Sequence, residues 1–114
     1  AYDGSRVYGP VTPGGEVWAL SRDGAVQWAS SDAAPIKWGP SSVANGVVYS
    51  ADDSETLTLR EASTGAVLDK VPIGGMTYGG VSVAGGYVFV AVGTQGSSGY
   101  LVAYRADPPA AAGG

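Results

Sequence analysis

The sequence predicts an all-β fold of β-propeller blades, four-stranded antiparallel sheets in an incomplete ring. Three observations carry this: a pattern recurring at an offset of about 40 residues, glycine turns inside each copy, and no sustained helical period. The chain has 114 residues, of which 45% are apolar and 14% charged, a globular balance with room for one domain. Nineteen glycines among Val, Tyr, Ser and Thr favour short strands broken by tight turns.

The repeat is read from four pieces that keep one phase. Trp38-Gly39-Pro40-Ser41-Ser42-Val43-Ala44-Asn45-Gly46 aligns with Tyr78-Gly79-Gly80-Val81-Ser82-Val83-Ala84-Gly85-Gly86, and Val47–Ala51 with Tyr87–Ala91. Asp3–Tyr8 is an earlier copy of Asn45–Tyr49. Glu16–Leu20 matches Thr56–Arg60 and Tyr100–Tyr104, and Asp23–Trp28 matches Thr64–Asp69. Each copy then reads in order. A small apolar innermost strand (41–44, 81–84) is followed by an Asn-Gly or Gly-Gly hairpin turn. A second strand (47–51, 87–92) leads through a polar loop to a third with alternating side chains, such as Leu57 and Leu59. An Asp-Gly or Thr-Gly turn opens the outermost strand (25–29, 66–71).

The expected organisation is a partial blade over 1–31, a full blade over 38–71, a partial blade over 78–106 and a Pro/Ala/Gly tail over 107–114. The first copy is expected to lack its innermost strand and the last its outermost. So few strands cannot close a ring of four to eight blades. The chain, which starts at Ala1, is therefore expected to be a processed or excerpted piece, the C-terminal portion of a larger propeller. Its partners are then the remaining blades of the same protein, or another protein chain. The alternative is a short chain that builds a ring by symmetric association.

Charge narrows the function classes. Net charge is −4 and the six basic residues are scattered, so neither nucleic acid nor an anionic membrane surface is an expected partner. No apolar run is long enough to insert into a membrane, and no signal peptide is visible. The chain has no Cys and no His, which removes thiolate metal sites, Cys nucleophiles and His-based triads from these residues.

Strand order puts the fourth-to-first and second-to-third connections on one face, where ligand-face candidates gather. Lys37, Trp38 and Tyr78 lie near the axis, with Gln95 farther out in a Gly/Ser-rich loop. Trp38 and Tyr78 would stack on a flat ligand or a sugar, or plug the space between blades. Trp18 and Trp28 read as blade packing. Asp52, Asp53 and Glu55 are weak calcium candidates, because their spacing does not match an EF-hand loop and a solvated hairpin loop explains them as well. The 93–99 loop lacks the Lys-Ser/Thr ending of a phosphate loop. No catalytic residue is expected.

Three stretches carry a family resemblance: Ser42–Tyr49, Val17-Trp18-Ala19-Leu20 and Gly24-Ala25-Val26-Gln27-Trp28. Over residues 1 to about 106 the chain resembles the repeats of pyrroloquinoline-quinone (PQQ) enzymes, the quinoprotein alcohol dehydrogenase-like propellers, with Asp69 standing where the outer-strand Trp of the motif would recur. The resemblance implies an exported, periplasmic or extracellular, bacterial protein. Members include quinone dehydrogenases, with a Trp floor, calcium held by Glu, Asn and Asp, a catalytic Asp and often paired cysteines, and also propellers that bind proteins. No cysteine pair is present, and no Asp or Glu falls beside Trp38 or Tyr78. The leading expectation is a non-catalytic binding or scaffold segment with no cofactor of its own. PQQ and calcium would enter only if other blades completed a site. The rivals are a piece of a quinone-dependent dehydrogenase and an oligomeric sugar-binding propeller.

Overall fold

The computed structural model describes residues 1–11, 15–30, 39–93 and 98–105. Ten strands form three antiparallel sheets, and no helix occurs among the described residues. Blade 1 holds β1 (Arg6–Val11), β2 (Glu16–Ser21) and β3 (Val26–Ala29). Blade 2 holds β4 (Ser42–Ala44), β5 (Val47–Ala51), β6 (Thr56–Glu61) and β7 (Val67–Pro72). Blade 3 holds β8 (Val81–Ala84), β9 (Tyr87–Val92) and β10 (Tyr100–Arg105). Neighbours in each sheet are neighbours in sequence, the meander that short turns impose. The Asn45-Gly46 turn has φ of 50° and 77°, the pair of positive values a two-residue hairpin needs.

Blade 1 has three strands, without an innermost one, and a single bridge stands in that place. Ala1 and Tyr8 exchange both backbone hydrogen bonds at 2.7 Å, and Tyr2 bridges Val7. This is the register in which Ser42 faces Tyr49 and Val43 faces Val48 one blade later. The match was hidden because Ala1-Tyr2 shares no residue type with Ser42-Val43. Asp3 closes the turn that follows: Oδ1 accepts from the Ser5 and Arg6 amides, both at 2.8 Å, and Oδ2 from the Tyr8 hydroxyl at 2.6 Å. The Tyr8 bond first, then the Arg6 amide, hold the Asp3 carboxyl down at about 2. Burial, then the same bond, pushes the Tyr8 phenol up.

Period-two alternation sends one face of each blade forward and one back. Tyr8, Val17 and Ala19 of blade 1 pack on Val43, Val48 and Ala62 of blade 2. Tyr49, Ala51 and Leu57 of blade 2 pack on Val81, Val88, Val90 and Val92 of blade 3. The two cores are therefore the two blade junctions.

At the axis end the junction is backbone on backbone. A Cβ on Gly39 would lie 2.0 Å from the Gly79 carbonyl oxygen, and one on Gly80 2.9 Å from the Pro40 ring. Ser42 adds a hydroxyl that donates to the Val81 carbonyl. At the rim, Trp28 leaves β3 to donate from Nε1 to the Ala62 carbonyl at 2.8 Å, its ring 6.1 Å from that of Tyr8. Gly65 supplies the floor: its φ is +80°, and a Cβ there would sit 2.5 Å from the indole. Asp69 cannot repeat this at the next junction. There Tyr100 and Tyr104 of β10 reach back instead, donating to the Ile73 and Pro72 carbonyls at 3.0 and 2.7 Å.

Two predictions follow from these contacts. Gly39→Ala destabilises by about 1–3 kcal/mol through overpacking. Gly79→Ala is close to neutral, because its nearest neighbour would lie 3.7 Å away. Denaturant titration of both variants checks this, and equal effects at these repeat-equivalent positions would refute the close approach. The second concerns acid. A carboxyl depressed to about 2 stabilises the fold above its unfolded value of about 4, and that contribution fades as pH falls toward 2. The gap in unfolding midpoint between the natural chain and Asp3→Asn therefore narrows over that interval; a constant gap would count against the Asp3–Tyr8 bond.

Candidate functional site

The connections 52–55 and 73–80 and the described ends of the 93–99 loop meet on one face. The Ile73 amide donates to the Glu55 carbonyl at 2.9 Å, and the Gly93 amide to the Met76 carbonyl at 2.8 Å. Thr77 is fully buried; its hydroxyl donates to the Ala91 carbonyl at 2.6 Å and accepts from the Gly79 amide at 3.0 Å. This Thr77 clasp fixes the segment carrying Tyr78, whose ring is half exposed. Beside it opens a cavity of about 280 Å³ lined by Gly74, Gly75, Met76, Val92 and Tyr100. A Cβ on Gly74 would lie 2.6 Å from the Tyr100 hydroxyl, and one on Gly75 2.7 Å from Val92, so the missing side chains are what leave it open.

A second concavity, about 360 Å³, lies at the axis end where Ala1-Tyr2, Ser41–Ala44 and Val81–Val83 converge. Its side chains are short hydroxyls and aliphatics, with the Tyr2 ring at its edge.

Of the sequence candidates, Lys37, Trp38 and Gln95 lie outside the described residues. Tyr78 is on the expected face. Asp52 is buried and serves the loop itself: Oδ1 accepts from the Ser54 amide at 2.9 Å and the Ser54 hydroxyl at 2.6 Å, with the Thr56 amide at 3.4 Å. Asp53 is half-buried and Glu55 exposed, the latter at φ 66°. Among the described residues no group of three metal-ligating side chains is gathered. Trp28 packs between blades. Trp18 sits on the far side of blade 1, its Nε1 donating to the Glu16 carboxylate at 2.7 Å. Sequence reading missed Thr77 and Tyr100. The signal for Tyr100 is its register opposite Val92, which places both on the face turned to blade 2.

With the geometry in place, comparison with known proteins settles the lineage. A family model described as outer membrane protein assembly factor BamB matches residues 13–107. The chain belongs to this family of PQQ-like β-propeller repeats. No curated protein sequence matches it. Among solved structures it is similar to BamB from Moraxella catarrhalis, with a TM-score of 0.70 and 15% identity over 80% of this chain and 27% of that one. It is also similar to the quinohemoprotein alcohol dehydrogenase ADHIIG from Pseudomonas putida HK5 (TM-score 0.74, 25% identity, 90% of this chain, 18% of that one). A europium-containing methanol dehydrogenase gives a TM-score of 0.77 at 21% identity over 91% of this chain and 22% of its own. The chain thus spans about a fifth to a quarter of the length of these PQQ-like relatives.

Asp52 separates a capped hairpin from a cation loop. Asp52→Ala costs about 1.5–3 kcal/mol, because charge-assisted bonds are lost, while Asp52→Asn keeps the Oδ1 acceptor and most of the stability. Millimolar calcium leaves the melting midpoint of the natural chain unchanged; a calcium-dependent rise abolished by Asp52→Asn would restore the loop as a metal site.

Proposed function

We propose that this PQQ-like chain is a segment of an exported bacterial propeller that acts as a binding scaffold for another protein. One observation carries the reading: the axis-end concavity is lined by Ser41, Ser42 and Ser82 and by Val43, Ala44, Val81 and Val83, with Ser82 exposed. Hydroxyls interleaved with small aliphatics suit a polypeptide, which offers amides, carbonyls and apolar side chains together. A quinone bearing three carboxylates calls for cationic side chains, and no Lys or Arg stands among these residues. Membership in a family described as an outer membrane protein assembly factor supports both the scaffold role and the exported location.

A second reading has its own support. The 25% identity with a quinohemoprotein alcohol dehydrogenase over 90% of this chain favours a dehydrogenase segment, with its reactive groups on other blades. The intact gene product decides between them. The scaffold reading expects no red-shifted absorbance and no dye-linked alcohol oxidation after PQQ and calcium are added. It also expects a photo-crosslinker at Ser42 to capture one defined exported protein. Turnover dependent on PQQ and calcium would overturn it in favour of the dehydrogenase.

A further inference from the structure

We propose that the cavity beside the Thr77 clasp is a binding site for one uncharged aromatic ring system of phenol or indole size. The inference goes beyond the scaffold reading, which stands on the axis-end concavity and not on this one.

Its basis is a comparison of equivalent positions along the repeat. In blade 2 a polar pair closes the second-to-third connection. The Asp52 amide donates to the Thr56 carbonyl at 3.1 Å, and Asp52 Oδ1 accepts from the Ser54 amide and hydroxyl. One blade later Val92 and Tyr100 hold these places, paired across β9 and β10. A self-satisfied polar pair is thus exchanged for an aliphatic and an aromatic wall. The facing segment changes in step, because Gly74 and Gly75 stand where the preceding copy has Ala34 and Pro35. The two exchanges depend on each other. A Cβ on Gly75 would lie 2.7 Å from Val92 Cγ1, and one on Gly74 2.6 Å from the Tyr100 hydroxyl, so the larger walls fit only opposite bare backbone.

The walls are also held in place. The Tyr100 hydroxyl donates to the Ile73 carbonyl at 3.0 Å, which fixes its ring, and the Gly93 amide donates to the Met76 carbonyl at 2.8 Å. A site ordered in advance loses little entropy on binding.

The lining then selects the ligand. Bare glycine backbone admits the close approach of a flat group, and the Met76 thioether favours an aromatic ring. No charged side chain lines the cavity among the described residues, so a carboxylate or phosphate finds no cation there. A sugar brings many hydroxyls, against which the lining sets only Ser98 and the engaged Tyr100 hydroxyl. Size narrows the class further. An apolar cavity of about 150 Å³ holds benzene, whereas drug-sized ligands occupy about 300–1,000 Å³. At about 280 Å³ this cavity suits one or two fused rings. Such a ring has two sources, a free compound and an aromatic side chain on a polypeptide, and the test separates them.

The test uses the intact gene product, titrated by ligand-observed NMR with indole and with N-acetyltryptophanamide. Saturable binding is expected, and azidoindole on illumination is expected to label the 74–76 or 98–100 stretch. Gly75→Ala, which sets a methyl group in the cavity, is expected to weaken binding about tenfold. Met76→Ala, at a position 38% exposed and so mild enough to fold, is expected to weaken it roughly threefold. Gly79→Ala, outside the lining, is expected to bind as the natural chain does. Tighter binding of indole supports a free compound as the source, and tighter binding of the amide supports a polypeptide side chain. Absence of saturable binding by either probe would overturn the proposal, as would affinity unchanged in both Gly75→Ala and Met76→Ala. Neither readout involves PQQ or a captured partner, so failure of the scaffold reading leaves this result intact.

Discussion

Neighbouring blades meet at the axis end with no side chain between them. The Gly79 carbonyl oxygen occupies the volume where a Gly39 Cβ would stand, and Pro40 lies against Gly80. Everything farther out is set by that approach. Once the innermost strands touch, the twist of each sheet fans the outer strands apart. The gap between blades then widens toward the rim and must be filled by progressively larger groups. Val43, Val48, Val81 and Val83 suffice near the axis, Tyr8 and Tyr49 sit in the middle, and the Trp28 indole spans the rim.

The two junctions solve the rim differently, and the difference follows from one residue. Where β3 offers Trp28, blade 1 reaches forward to the Ala62 carbonyl over the bare Gly65. Where β7 offers Asp69, nothing reaches forward, and two tyrosines of blade 3 reach back to the carbonyls of Pro72 and Ile73. In both cases an aromatic bearing a polar hydrogen caps a backbone carbonyl at the periphery. Such a group covers apolar area and satisfies an acceptor at once. The tyrosine pair is the more solvated arrangement: Tyr100 is half exposed, so its bond competes with water.

Much of this was legible in the sequence because the repeat is carried by side chains that packing demands. Alternating apolar positions, Asn45-Gly46 and the turns at Gly24 and Gly65 fix strand number, order and face. Features that depend on backbone register left no trace. The outermost strands β3 and β7 each carry an extra residue, shifting register opposite Ala19/Leu20 and again opposite Leu59/Arg60. These equivalent bulges add local twist, yet no residue type announces them. The bridge from Tyr2 to Val7 was illegible for a related reason: two residues held by backbone bonds need no particular side chain. At the candidate site, Tyr78 could be placed on the loop face by strand order alone. The Thr77 clasp beneath it could not, because one hydroxyl serves there as both donor and acceptor between a strand and a connection distant in sequence.

The same physics explains why a shared fold leaves function open. The chain superposes on a Moraxella assembly factor and on dehydrogenases with TM-scores of 0.70–0.77, at 15–25% identity. Blade packing asks only for small residues at the axis, β-branched aliphatics at the junctions and aromatics at the rim, which many sequences satisfy. Strand side chains are largely consumed in meeting that demand, since one face of each inner strand turns to the blade before it and the other to the blade after. Chemistry is left to the connections and to the axis mouth, where Tyr78 is half exposed and Ser82 is exposed. A propeller of this kind changes activity by exchanging loops around an unchanged axis. The Gly39–Gly79 approach therefore serves the fold of this chain, and chemistry is left to the residues around it.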